Sequence, residues 1–328
     1  MAHYLVTGGA GFIGSNIVEA LLQRGEGVRI LDNFSTGDHT NIAPFGNRVS
    51  LVEGDLRDLS TVRHAVEDVD CVLHQGALPS VQRSIAAPLD SHAANATGTL
   101  NVLIAARDAG VRRIVYASSS SIYGDSPSLP KREDMPPAPK SPYAASKMAG
   151  EQYCQTFPKL FGVETVCLRY FNVFGPRQDP ASQYSAVIPR FLAAMLAGDP
   201  PTIYGDGRQS RDFTYVANVA EANLLAVDAS DDAVGQVFNI ACGQRYTLLD
   251  LLKALNDILD THIEPVFEPS RAGDVRHSLA DIRAAREVLG YTPEVSFREG
   301  LRHTVAWFRS RQRGHSGGDY ETAPRNLR

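Results

Sequence analysis

The sequence predicts an α/β fold, a doubly wound parallel sheet with a smaller mixed domain after it. Three observations carry the prediction. Short β-branched runs alternate with helix-period stretches through the first half of the chain, those runs are apolar along their whole length, and a glycine-rich turn, Thr7-Gly8-Gly9-Ala10-Gly11-Phe12-Ile13-Gly14, joins the first run to the first helical stretch. Alternation of the two periods is the pattern of strand-helix-strand crossovers, and strands apolar on both faces belong to a parallel sheet covered by helices on both sides. At 328 residues the chain exceeds a typical single domain of ~100–200 residues, which leaves room for a second unit.

The first strand is read at 4–7 (YLVT) and the first helix at 12–24, closed by Gly25 where left-handed backbone ends helices. Strands follow at 28–32 (VRILD), 49–53 (VSLVE), 70–74 (DCVLH), 113–118 (RIVYAS) and 164–170 (ETVCLRY), with helices at 59–66, 88–109 and 142–161 between them. Gly110 stands at the end of the second of these helices. After about Asn172 the pattern turns to segments punctuated by proline and glycine, FGPRQDP, IPRF and GDPPTIYGDG, then a helix at 218–227 and a strand at 236–241. Helices at 248–259 and 297–309 complete the reading, the latter with Trp307 on its apolar face. This divides the chain into a dinucleotide-binding domain, 1–172 with a return segment at 212–241, and a substrate-binding domain made of 173–211 and 242–310. Residues 311–328 are polar and aperiodic, and disorder is expected there.

Hydrophobic residues at 43% and charged residues at 21% are ordinary globular values. Thirty-two basic against 37 acidic residues give a net charge of −5, with no positive excess to hold a nucleic-acid backbone. Four cysteines lie far apart and nine histidines form no ligand cluster, so no metal is expected and free thiols in a reducing compartment fit best. No leader pattern opens MAHYLVTGGAG and no apolar run approaches the ~20 residues of a membrane span. A cytoplasmic protein is expected, with no membrane or nucleic-acid partner.

The glycine turn carries the first chemical signal. Gly8, Gly11 and Gly14 let the backbone turn tightly, approach a pyrophosphate and pack helix on strand, and the helix beginning at Phe12-Ile13 offers its first N–H groups to the anion. A glycine turn alone is a weak signal; the strand before and the helix after give it a Rossmann-type setting. Asp32 ends the second strand, followed by Asn33, Ser35, Thr36 and Gly37 with no arginine close by. A carboxylate there accepts from both ribose hydroxyls and repels a 2′-phosphate, which selects NAD over NADP. The plainer alternative for Asp32 is a turn cap. Asp55 and Leu56 follow the third strand, where an adenine edge would lie.

The second signal is Tyr143-Ala144-Ala145-Ser146-Lys147, after a proline-rich loop. Spacing of four places phenol and ammonium on one helix face, where the positive charge is expected to lower the phenol's pKa from its usual value of about 10. Such a pair is common by chance on exposed helices. The strand ending in Ser118-Ser119-Ser120-Ser121-Ile122-Tyr123-Gly124 changes the weighting, because it delivers hydroxyls to the carboxyl edge of the sheet, where ligands of such folds bind. A phenol so placed exchanges a proton with an alcohol or sugar hydroxyl.

Together TGGAGFIG, Asp32, GDL at 54–56, the serine strand ending in YG, SPYAASK and LRYFNVFGP resemble the extended short-chain dehydrogenase/reductases that act on nucleotide-sugars, and within them the UDP-sugar 4-epimerases. The resemblance runs from Tyr4 to about Phe308. It implies a catalytic set of Ser119, Tyr143 and Lys147, and it extends the NAD contacts to Gln75, Ala77, Asn95, Ser118 and Tyr170. On the substrate side it implies Ser80, Ser120, Asn172, Val187, Tyr204, Arg211, Arg271, Asp274 and Ser278 as the grip on a UDP-sugar. Two arginines suit a diphosphate, since guanidinium binds phosphate oxygens in pairs; alone, Arg211-Asp212 or Arg271 with Asp274 would read as surface ion pairs.

Related dehydratases and decarboxylases carry an acidic residue just after the catalytic hydroxyl, whereas this chain has Ser120 and Ser121. The resemblance therefore favours epimerisation. Ser278 stands where glucose-restricted relatives have tyrosine, which leaves space for a 2-acetamido group, and HQGALPSVQRS (74–84) and RHSLADI (276–282) look like the epimerases of UDP-GlcNAc and UDP-GalNAc. UDP-glucuronate epimerase, dehydratase or decarboxylase activity and an NAD-sensing regulator remain the alternatives. The helices at 88–109 and 142–161 match those through which relatives pair, so a homodimer is expected; otherwise both simply cover the sheet.

Overall fold

The computed structural model describes residues 2–179, 186–270 and 276–315, with side chains as far as Arg311. Six strands come first in chain order: β1 (His3–Thr7), β2 (Gly27–Asp32), β3 (Val49–Glu53), β4 (Cys71–His74), β5 (Arg113–Ser119) and β6 (Glu164–Tyr170). A return strand, Val237–Ile240, completes a seven-stranded sheet in the order return strand, β6, β5, β4, β1, β2, β3. Every pairing in it is parallel.

Neighbouring residues on one strand feed opposite cores, and this is why the strands are apolar throughout. Val6 and Ile30 pack with Ile17, Leu21, Val219 and Phe238 on one face; Leu5 and Leu31 pack with Val72, Val102, Ile114 and Phe157 on the other. Buried Arg113 in β5, Arg169 in β6 and Asn239 in the return strand interrupt this pattern, and the edge strand β3 leaves Leu51 42% exposed. A third cluster, Phe174, Phe191, Phe213, Leu251, Leu255, Phe297 and Leu301, forms the core of the later segments. Three short pairings hold that region: Val173–Phe174 on Thr214–Tyr215, Thr202–Tyr204 on Val266–Glu268, and Ser210–Arg211 antiparallel to Tyr246–Thr247.

The helices follow their local signals with some differences. Phe12–Gln23 and Leu248–Leu259 form helices, the second opened by a capping box between Thr247 and Asp250. Pro142–Phe161 starts with Ser141 accepting from the Ala144 N–H and ends at left-handed Gly162. The stretch 88–109 carries an interior π turn at Ala93–Thr97, a feature common at functional sites. The helix Val216–Asp228 runs longer than 218–227. The tail expectation needs correction at its start, because the last helix, Phe297–His315, continues through 311–315. The rest of the tail, and the candidate residues Arg271 and Asp274, lie outside the described residues.

Among the described residues no helix is long and apolar enough to cross a membrane. Cys71, Cys154, Cys167 and Cys242 are free thiols.

Candidate active site

The carboxyl ends of β1, β2, β4 and β5 open on a cavity of about 410 Å³. The glycine turn forms its floor. Gly8, at φ +67°, donates its N–H to Leu31 O at 2.8 Å, and a Cβ on Gly14 would stand 2.1 Å from Gly8 O. Only a residue without a side chain lets the helix start this close to the turn. The N-cap residue Gly11 has no side chain to cap the helix, so its first amides remain available to an anion. Phe12, Ile13 and Gly14 line the same space.

At the end of β2, Asp32 is buried and accepts from Ala10 N and Phe34 N at 2.9 Å each. Burial raises its pKa and the two amides oppose that rise. Asn33, Ser35, Thr36, Asp55 and Leu56 line the cavity beside it. Gly37 lies behind the carboxylate, where a Cβ would meet Asp32 Oδ1 at 2.9 Å. Sequence reasoning missed Arg57, whose Nε and Nη2 clasp Asp55 at 2.9 and 2.6 Å; with the Asn33 amide at 2.8 Å they hold the Asp55 carboxyl down at about 2. The adjacent sequence Asp-Leu-Arg-Asp was the available signal.

Gln75, Ala77, Ser118, Tyr143, Lys147 and Tyr170 also line the cavity. Gln75 is held by Tyr170 Oη at 3.2 Å and by Asn223 at 3.0 Å, so the helix Val216–Asp228 reaches the cavity wall through Asn223. Asn95 stands behind the wall, accepting from Leu78 N at 2.7 Å and donating to Ser146 Oγ at 3.0 Å. Ser118 Oγ donates to Glu151 at 2.7 Å, and Glu151 is paired with buried Arg169 at 2.6 Å.

Lys147, buried, donates to Ala117 O at 2.8 Å, and desolvation lowers its pKa to about 8. Tyr143 departs from expectation. Burial pushes its phenol above the usual value and an interaction with the Ser119 hydroxyl opposes that rise. Ser119 Oγ in turn accepts from Ser121 N at 3.2 Å and Ser121 Oγ at 2.9 Å.

A second cavity of about 250 Å³ lies in the later segments, lined by Asn172, Val187, Tyr204 and Arg211 together with Arg190, Gln209, Phe213 and Leu248, which sequence reasoning missed. Arg190 stacks over the Tyr204 ring at 5.5 Å. Asn172, at φ +35°, donates to Ser278 Oγ at 3.3 Å and so joins Ser278 to this wall. Asp212 is not in a surface ion pair: it is buried and accepts from Cys242 N, Gly243 N and Ala280 N at 3.0 to 3.1 Å, and burial raises its pKa to about 6. Ser80 caps the short helix Val81–Ala86 from a left-handed φ of +93°, and Ser120 opens the turn Ser120–Tyr123. Neither lines these two cavities. Among the described residues no cluster of metal-ligating side chains occurs.

The first cavity fits a dinucleotide, because its lining combines a side-chain-free anion cradle at Gly8, Gly11 and Gly14, the acidic acceptor Asp32, and the Ser118 hydroxyl, Tyr143 phenol and Lys147 ammonium. The family model described as "NAD dependent epimerase/dehydratase family" matches residues 4–241. A UDP-glucose 4-epimerase of Mycolicibacterium smegmatis is 39% identical, covering 94% of this chain and 98% of that protein. Among solved structures, the UDP-N-acetylglucosamine 4-epimerase of Methanobrevibacter ruminantium M1 in complex with UDP-N-acetylmuramic acid superposes with a TM-score of 0.90 at 41% identity, covering 94% of this chain and 99% of that one. The Thermus thermophilus UDP-glucose 4-epimerase complex with NAD gives a TM-score of 0.85 at 39% identity over 94% and 99%. Proteins named as a glucosaminuronate decarboxylase and a UDP-glucuronate 4-epimerase also match, at 31% and 32% identity.

Proposed function

This chain belongs to the NAD-dependent epimerase/dehydratase family, and from that premise we propose that it is an NAD-dependent UDP-sugar 4-epimerase interconverting UDP-GlcNAc with UDP-GalNAc, and UDP-glucose with UDP-galactose, through a 4-keto sugar. The observation that carries the reading is the presence of Tyr143 and Lys147 together in the wall of the first cavity, with the Ser119 hydroxyl interacting with the phenol and the neutral Ser120 and Ser121 where an elimination would need an acid. Bound NAD supplies a reversible hydride acceptor for C4 of the sugar. Tyr143 takes the 4-hydroxyl proton and gives it back, Ser119 donates to the phenol oxygen, and Lys147 contributes a buried positive charge beside them.

On the substrate side, Arg211 with Tyr204, Asn172 and Val187 hold the nucleotide diphosphate, and Ser80, Ser120 and Ser278 border the sugar. Arg271 and Asp274 belong to the same proposed grip. The support for acetylated sugars is Ser278, a small residue that accepts from Asn172 at 3.3 Å. Supporting a homodimer, the helices Val81–Ala86 and Pro88–His92 pack on Pro142–Phe161 and leave Ile85 64%, Leu89 83% and Tyr153 40% exposed. Free thiols fit a cytoplasmic setting.

The test is direct. Purified protein incubated with UDP-GlcNAc should form UDP-GalNAc. Formation of a 4-keto-6-deoxy product would assign a dehydratase, and no turnover of any UDP-hexose would reject the reading.

A further inference from the structure

Ser119 does two things that compete for one hydroxyl. As N-cap of the turn Ser120–Tyr123 it accepts from the Ser121 N–H at 3.2 Å. As neighbour of Tyr143 it must donate, because only a donated proton favours the phenolate and pulls the phenol's pKa down. A serine hydroxyl has one proton and two acceptor positions, so the direction of that proton decides whether Ser119 helps Tyr143 or opposes it.

Ser121 settles the direction. Its hydroxyl donates to Ser119 Oγ at 2.9 Å, beside its own N–H at 3.2 Å. With both acceptor positions of Ser119 filled from Ser121, the remaining proton of Ser119 has the phenol side as its outlet. A chain in which one hydroxyl donates to the next also polarises the last donor and strengthens it. Burial raises the Tyr143 phenol and the Ser119 contact opposes that rise, so the strength of that donor matters to the base.

We propose that Ser121 is a positioning residue of the proton-transfer site: it orients the Ser119 hydroxyl as a donor to Tyr143. The inference rests on the 4-epimerase reading above, in which Tyr143 exchanges the 4-hydroxyl proton, and it assigns to Ser121 a part that the absence of an acid at that position does not by itself imply. The plainer role for Ser121 is to close the turn, and the two roles separate cleanly, since the turn uses its N–H and the orientation uses its hydroxyl.

The holoenzyme carrying Ser121→Ala keeps the capping N–H and loses the hydroxyl. Its pH profile of kcat with UDP-GlcNAc or UDP-glucose should shift to higher pH by about half a unit to one unit, with kcat at neutral pH lowered about threefold to tenfold, and with KM and NAD content near wild type. Ser121→Thr, which restores the hydroxyl, should bring the profile back. Should Ser121→Ala emerge without NAD, Ser121→Cys, with a weak donor of similar volume, should show the same shift in a folded protein. An unshifted profile in a folded variant, or a shift that threonine leaves unrepaired, overturns the proposal. Loss that appears in KM alone does so too. Absence of turnover in the wild-type protein would instead refute the 4-epimerase reading, so the two failures are distinguishable.

Discussion

Gly14→Ala is the sharpest perturbation of the cofactor site. The new Cβ would lie 2.1 Å from Gly8 O, 2.8 Å from Gly8 C and 2.9 Å from Gly9 Cα, all backbone atoms that no rotamer change can move. Relief needs the helix Phe12–Gln23 to retreat from the turn, or the turn to enter the cavity, by roughly 1 Å; overpacking of this kind costs about 1–3 kcal/mol. Either shift takes backbone N–H groups away from an anion seated at the helix start. Loss of one charge-assisted hydrogen bond there costs about 1.5–3 kcal/mol, a roughly tenfold to hundredfold weakening of NAD. Gly110→Ala is the control: at φ +72° with nothing within 4 Å of its would-be Cβ, it strains the chain by about 1 kcal/mol, far from the cofactor. NAD released by acid from purified protein, with thermal unfolding measured in parallel, reads both effects. Gly14→Ala should emerge depleted of NAD and Gly110→Ala should keep it. A Gly14→Ala protein with wild-type NAD content and unchanged Tm would refute the packing argument.

Three further outcomes are expected. Tyr143→Phe removes the proton-transfer group and keeps the ring, so kcat should fall at least ~10²-fold with UDP-sugar binding near normal in a titration; near-full activity would move the base elsewhere. Ser278→Tyr would crowd the neighbour of Asn172, so kcat/KM should fall roughly tenfold to hundredfold on the two acetylated sugars and survive on UDP-glucose and UDP-galactose, and an equal decline on all four would refute a gate at Ser278. His74, buried between Thr7 Oγ1 at 2.7 Å and Thr99 Oγ1 at 3.0 Å, has its pKa lowered by burial from 6.5 to about 3. Its folded state prefers the neutral ring, so this stability is present above about 6.5 and is lost as pH falls from there toward about 3. Urea midpoints at pH 7, 6, 5 and 4 should decline for the wild type and decline less for His74→Asn; a flat wild-type series would contradict it.

What could be read in the sequence is what lies close along the chain. The turn Thr7–Gly14, the carboxylate ending β2 and the spacing of Tyr143 and Lys147 each sit on one strand end or one helix face, where periodicity alone fixes which side chains point together. Most strands of the sheet were legible for a related reason, since a strand buried on both faces favours a largely apolar run, whereas the edge strand β3 is partly exposed. Boundaries were less so: the last helix passes 309 and reaches His315, beyond Phe308, the last residue of its apolar stripe.

Only the tertiary structure could decide the relations between distant segments. Arg57 clasping Asp55, Asn223 bracing Gln75 and Tyr170, and Asn172 meeting Ser278 all depend on strand register and crossover geometry, which bring together residues with no shared period. The clearest case is charge. Spacing placed an ammonium beside a phenol and so favoured a lowered phenol pKa, but in the fold Lys147 donates to Ala117 O, Tyr143 loses solvent, and the phenol rises instead. Adjacency along a helix is a property of the sequence; desolvation and the choice of hydrogen-bond partner are set by everything packed around the pair.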